Sequence, residues 1–193
     1  SLPNPLDGIR VFKEAEKEMS WLTLSQLPEL FRACEQYGKE NLTMIVKVCL
    51  ATGARWGEAE RLTRPQLSPC KLTFTKTKGK KNRTVPIPKW LYDELSERQG
   101  RMFKPCYQDF KKMLKLTNIE LTEGQKTHVL RHTFGAHFMM NGGNILVLQK
   151  ILGHANIRET MKYAHFAPDH LEQAVTLNPL SLCIGDNVAA EVA

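Results

Sequence analysis

The residues with the greatest chemical potential lie between Thr127 and Tyr163, where His128, Arg131, His154 and Tyr163 follow one another in a fixed order. A spacing of three between His128 and Arg131 puts an imidazole and a guanidinium on one side of a helix, one turn apart, where both can reach one anion. Thr127 is the expected N-cap, so the unpaired N–H groups and positive dipole end of a helix start would face the same place. Downstream, an apolar helix at 145–152, a Gly153-His154 break and a short amphipathic stretch carry the Tyr163 phenol towards that anion. The combination suits attack on a phosphodiester. A planar fork of donors holds the oxygens on which negative charge builds, and a histidine helps a phenol of pKa near ~10 to lose its proton.

Two stretches upstream add charge of the same sign. In Ala51-Thr52-Gly53-Ala54-Arg55-Trp56-Gly57-Glu58 the chain turns sharply and begins a helix, so Arg55 leaves a glycine-flanked corner instead of a solvated helix face. Glu58, one turn on, is placed to steer that guanidinium, to accept from a histidine, or to make a plain structural ion pair. Residues 72–75 and 83–87 are short alternating runs around a polar, glycine-containing turn, which reads as a β-hairpin. From residue 76 to residue 83 stand Lys76, Lys78, Lys80, Lys81 and Arg83 with no acid, a density that suits phosphate contacts along a duplex groove.

These stretches together resemble the catalytic domain of the tyrosine recombinase (phage integrase) family. The likeness rests on H-x-x-R at His128/Arg131, L-G-H at 152–154, Tyr163 nine residues after His154, the A-T-G-x-R-x-x-E box around Arg55, and Lys78 eight residues before Pro86. A lone H-x-x-R is weak, but ordered elements at these spacings are specific. The resemblance covers about residues 23–175 and is greatest to integrases of temperate phages, whose full chains add N-terminal DNA-binding domains.

It implies an α+β, mainly helical fold with a small antiparallel β-sheet or hairpin. It also implies that Tyr163 attacks a scissile phosphate, forming a 3′-phosphotyrosyl link as a 5′-hydroxyl leaves. Arg55 and Arg131 would hold the phosphate oxygens, with His128 as base, His154 as a donor to the phosphate and Lys78 as the acid for the leaving oxygen. The cations replace a metal's charge, so no cofactor is implied. The implied partners are double-stranded DNA attachment sites, further copies of the chain in a tetramer on DNA, and DNA-bending accessory proteins, acting on phage DNA in a bacterial cytoplasm. A type IB topoisomerase-like nicking-closing enzyme uses nearly the same residues and differs by its product. A non-catalytic basic DNA-binding module would keep the hairpin charges but have no need of Tyr163.

Composition bounds the rest. The 193 residues, 42% hydrophobic, suffice for one core, and a net charge of +7 favours a polyanionic partner. Five scattered cysteines without a C-x-x-C pair suggest free thiols in a reducing compartment. No long apolar run suggests a membrane span. His128 and His132 have helical metal-ligand spacing, but no H-E-x-x-H glutamate accompanies them, so no metal is expected. His132, His137, His165 and His170 read as core or surface histidines, and Trp90, Phe103, Tyr107 and Phe110 as core. Helices are expected from about 23 to 37, 41 to 52, 88 to 99 and 105 to 118, with a last short one at 165–175. Residues 1–22 read as a linker or strap, 23–177 as the catalytic domain, and 178–193 as a flexible tail. From Ala167 onward, Leu171, Ala174, Val175 and Leu177 form an apolar face expected to dock on a neighbouring protomer; the alternative is packing on its own domain.

Overall fold

The computed structural model describes residues 19–75, 82–122 and 124–184. Its centre is a pair of helices, α2 (Glu40–Thr52) and α6 (His128–Met140). In α2, Leu42, Met44, Ile45, Val46, Val48 and Cys49 are all buried, and in α6 so are Val129, Leu130, Ala136 and Met139. Apolar side chains on nearly every side mark helices wrapped by other elements, not a one-sided surface stripe. Around this pair stand α1 (Leu27–Tyr37), α3 (Trp56–Glu60), α4 (Lys89–Ser96), α5 (Tyr107–Leu114), α7 (Ile145–Leu152) and α8 (Arg158–Met161). Glycines stop three helices: Gly38, Gly53 and Gly153 follow α1, α2 and α7 with φ of 73°, 64° and 67°, and donate back to carbonyls of the last turn.

The sheet is antiparallel, in the order β1 (Leu67–Ser68), β2 (Lys71–Phe74), β3 (Arg83–Pro86). Leu72 pairs with Val85 and Phe74 with Arg83, so period-two alternation turns Leu72, Phe74, Val85 and Arg83 inward together. The hairpin expected at 72–87 is present, and β1 adds a strand too short to leave a pattern in sequence. Lys76, Lys78, Lys80 and Lys81 lie outside the described residues.

Several expectations need correction. The strap expected to run to residue 22 is part of the fold at its end: Leu22 is buried, its N–H donates to Thr133 Oγ1 at 2.9 Å, and its carbonyl accepts from His137 Nε2 at 2.8 Å. Trp21 beside it meets the rings of His137 and Phe166 edge-on. Phe103 and Phe110 are core, but Trp90 and Tyr107 are exposed; each lies beneath a lysine ammonium, Lys47 and Lys111, because an amphipathic ring can cover a surface while a cation rests on its face. The helix expected at 165–175 divides into a 3-10 turn (Ala164–Phe166) and α9 (Gln173–Leu177). Asn178-Pro179 ends α9 as expected. The tail does not stay irregular, however, because Pro179 opens α10 (Pro179–Ile184), the first-turn position where a missing N–H costs nothing.

Candidate active site

Arg131 is the fixed point of the site. It is buried, with Nη1 donating to the Gly53 carbonyl at 2.7 Å and Nη2 to the Leu152 carbonyl at 2.8 Å. Both carbonyls stand at helix C-termini, where unsatisfied oxygens and the negative dipole end favour a cation. The two glycine breaks thus share a purpose: each ends a helix so that a carbonyl meets this guanidinium. Gly53 also has no room for a side chain, since a Cβ would lie 2.6 Å from Leu152 and from Phe134.

Arg131 Nη2 also lies 2.9 Å from His154 Nε2, and His154 Nδ1 lies 2.9 Å from Thr160 Oγ1. A guanidinium only donates, so Nε2 accepts and Nδ1–H donates to Thr160. His154 therefore braces Arg131. The expected donation to a phosphate needs a proton on Nε2, which this arrangement does not present.

Arg55 and His128 complete an open cleft with Arg131, lined also by Glu58, Arg61 and Lys126. The Arg55 guanidinium is partly exposed and only 3.5 Å from Glu58, a loose contact that leaves it facing the cleft. Glu58 is occupied elsewhere. Its carboxylate accepts from Arg83 Nη1 and Nη2 at 2.9 and 2.7 Å and from the Arg55 N–H at 2.9 Å. Burial alone would raise the Glu58 carboxyl, yet the Arg83 hydrogen bonds and charge outweigh it and bring it down to about 2. Of its three expected roles, the structural ion pair is the one this geometry shows, made with Arg83.

Arg83, expected on DNA, is buried instead: it grips Glu58, donates through Nε to the Ile151 carbonyl at 2.8 Å, and stacks on Phe74. Inward alternation on β3 took it out of the basic run. Thr127, expected as an N-cap, has helical torsions (φ −72°, ψ −17°) and no capping side-chain bond, so the helix start contributes less to the cleft than expected.

Tyr163 has no solvent exposure. Its ring lies against Gly135 of α6, where a Cβ would come 2.6 Å from Cε1, and its hydroxyl is 2.9 Å from His132 Nδ1. The histidine that touches the phenol is therefore His132 and not His128, which is exposed one turn earlier with its ring centroid 6.3 Å from that of His132. His132 was read as an ordinary histidine. Only its i+4 spacing from His128 marked it, and that spacing suggested a metal.

The electrostatics of the cleft suit an anionic ligand. Burial and then Arg55 bring Arg131 down to about 10. His128 is lowered by burial, Arg131 and Arg55, and Lys162 by burial and Arg131. Tyr163 rises to about 12 because burial outweighs the pull of Arg131 and Arg55. Cations that depress one another around a cleft are what a bound phosphate would relieve. No group of metal-ligating side chains occurs among the described residues. Among the described residues, no helix is long and apolar enough to cross a membrane.

Comparison with known proteins accords with this geometry. Residues 20–170 match the phage integrase family. The chain is 58% identical over 178 residues to the integrase of Escherichia phage 186, covering 92% of this chain and 53% of the relative. It is 57% identical to the integrase of Haemophilus phage HP1, with the same coverage. The chain thus spans about half the length of the curated relatives it matches. The solved catalytic domain of bacteriophage HP1 integrase superposes with a TM-score of 0.81 at 55% identity, covering 85% of this chain and 98% of that one.

Proposed function

Because the chain belongs to the phage integrase family, we propose that it is the part of a site-specific DNA recombinase that cuts and rejoins strands, integrating and excising phage DNA. The observation that carries this reading is the convergence of Arg55, His128 and Arg131 on one cleft whose cations depress one another. A buried tyrosine lies within reach of the same charges.

In this reading Arg55 and Arg131 hold the non-bridging oxygens of a scissile phosphate, with His128 beside them. Preorganised donors stabilise the charge that grows as Tyr163 attacks and a 3′-phosphotyrosyl bond replaces the P–O5′ bond. Lys78, outside the described residues, protonates the leaving 5′-oxygen, while Lys76, Lys80 and Lys81 contact duplex phosphates. Glu58 aims Arg55. Because Tyr163 is buried, α8 and the 3-10 turn beside it shift in this reading to bring its hydroxyl to the phosphate. The catalytic domain, with Trp21 and Leu22 packed into it and running on to residue 177, acts on double-stranded attachment sites, in the bacterial cytoplasm.

A tetramer on DNA is the proposed working assembly, with DNA-bending proteins as accessories. The strongly exposed Leu171 before α9, Val175 and Leu177 on α9, and Leu180 on α10 support an exchange of this segment between protomers.

The test is covalent capture. A duplex selected from a random pool for binding this chain, nicked so that the cleaved fragment diffuses away, should yield a denaturation-resistant adduct with the native chain and none with Tyr163→Phe. Adduct of equal yield from the variant would remove Tyr163 as nucleophile.

A further inference from the structure

Between the buried Thr160 and the buried Tyr163 the chain turns outward, and Lys162 is the exposed residue directly before the phenol. It closes α8 as its C-cap, with helical torsions of φ −59° and ψ −17°. Its ammonium lies over the Tyr163 ring, 5.2 Å from the centroid. A cation on an aromatic face at an exposed site is weakly held. Among the described residues Lys162 makes no ion pair, and Glu159, the acid of α8, faces His154 Nε2 at 3.9 Å instead.

What surrounds Lys162 is mostly positive. Its charge lowers His128, which lines the cleft, and after burial it is the leading influence that lowers His132. Burial and then Arg131 lower Lys162 in turn, Arg55 adds to this, and Glu159 opposes it without reversing it. A lysine kept among like charges beside a reacting group is arranged to meet an anion.

We infer that Lys162 is a phosphate-binding residue of this site, which takes a duplex phosphate next to the scissile one and in doing so draws Tyr163 out to attack. This deepens the function proposed above and rests on it. In that reading Arg55 and Arg131 take the two non-bridging oxygens of the scissile phosphate, which leaves its neighbours on the strand for Lys162. The chain itself supplies the coupling. Lys162 and Tyr163 are consecutive, so an ammonium that leaves the ring for a phosphate pulls on the backbone that seats the phenol against Gly135. The pull falls on the end of α8 and on the 3-10 turn, the elements that shift in the proposed reading. A phosphate that meets Lys162 in the shifted arrangement favours that arrangement by its differential affinity. Exposure of the nucleophile is thereby tied to the arrival of DNA.

The experiment measures single-turnover adduct formation at saturating nicked duplex, and duplex affinity across a salt series, for the native chain, Lys162→Met and Lys162→Arg. Methionine keeps an unbranched stem without the charge, and arginine keeps the charge. Lys162→Met should lose about tenfold or more in rate at saturation, as a misplaced nucleophile does. It should flatten the slope of log affinity against log salt by about 0.9, the share of one phosphate, and keep the native urea midpoint. Lys162→Arg should stay within about threefold of the native rate. An unchanged rate or an unchanged salt slope in Lys162→Met, or a rate that arginine does not keep, would overturn the inference while adduct from the native chain leaves the proposed function intact. Absence of any adduct from the native chain would overturn both. Should Lys162→Met fail to fold, the native chain decides on duplexes with a neutral methylphosphonate at each phosphate beside the scissile one in turn. One of these substitutions should slow cleavage about tenfold, and undiminished cleavage of all of them overturns the inference.

Discussion

The Glu58 carboxylate and the Arg83 guanidinium meet through two parallel hydrogen bonds, 2.9 and 2.7 Å, and this pair joins the base of the basic hairpin to the turn that carries Arg55. A forked, desolvated contact of this kind fixes orientation as well as distance. Breaking it from one side leaves a buried charge without its partner.

Arg83→Ala should therefore destabilise the chain by about 3 kcal/mol, the lower range for one-sided loss of a buried pair. The pair should also govern acid stability. Glu58 falls from the ordinary 4.5 to about 2 in the folded chain, so its contribution is complete above about 4.5 and lost as pH drops towards 2. Urea denaturation between pH 2 and 6 should show the native chain losing stability over that window, with a shallower slope in Glu58→Gln. Equal slopes would mean that other carboxylates control acid unfolding.

Gly135→Ala tests the seat of Tyr163, the proposed nucleophile. A methyl group 2.6 Å from Tyr163 Cε1 and 2.8 Å from Cζ has to push the ring away from α6. Overpacking costs about 1–3 kcal/mol, and the displaced hydroxyl loses His132. Adduct formation should fall at least tenfold while duplex affinity stays within about threefold, since no cleft residue is touched. Cleavage at the native rate would show that the resting position of Tyr163 does not matter for attack.

The hairpin lysines should set the response to salt. Replacing Lys80 and Lys81 together should flatten the slope of log affinity against log salt by up to ~2 units, about 0.9 for each phosphate that is no longer neutralised. Arg83→Ala should not alter that slope, because its guanidinium is spent on Glu58, Ile151 and Phe74. Fluorescence anisotropy across a salt series separates the two.

Ending the chain at Phe166 should leave it folded and able to bind DNA, because Trp21 and Phe166 still close the small core around Tyr163. Junction formation between two duplexes should drop sharply with the loss of Leu171, Val175, Leu177 and Leu180. Circular dichroism, duplex affinity and junction yield are the readouts. Unfolding would show that α9 and α10 complete their own domain, and undiminished junction yield would remove them from assembly.

What could be read in advance and what could not divide along a physical line. Local signals are short-range: apolar spacing and a terminal glycine place a helix at 145–152, stop it at Gly153 and stop α2 at Gly53, and the structure agrees. The order of Arg55, His128, Arg131, His154 and Tyr163 needs only counting along the chain, which is why the family was legible before any coordinate. Partners across the fold are another matter. Helical period puts both His128 and His132 on α6, but only the packing of α8 and the following turn decides which of them meets the phenol. Charge density put Arg83 with the lysines, whereas the pleat of β3 turned it onto a carboxylate twenty-five residues away. Trp90 and Tyr107 have the composition of core residues and ended on the surface because burial depends on what covers a side chain. The candidate residue types and their order were in the sequence. Which group holds which, and hence where the proton of Tyr163 lies, was decided by tertiary contact.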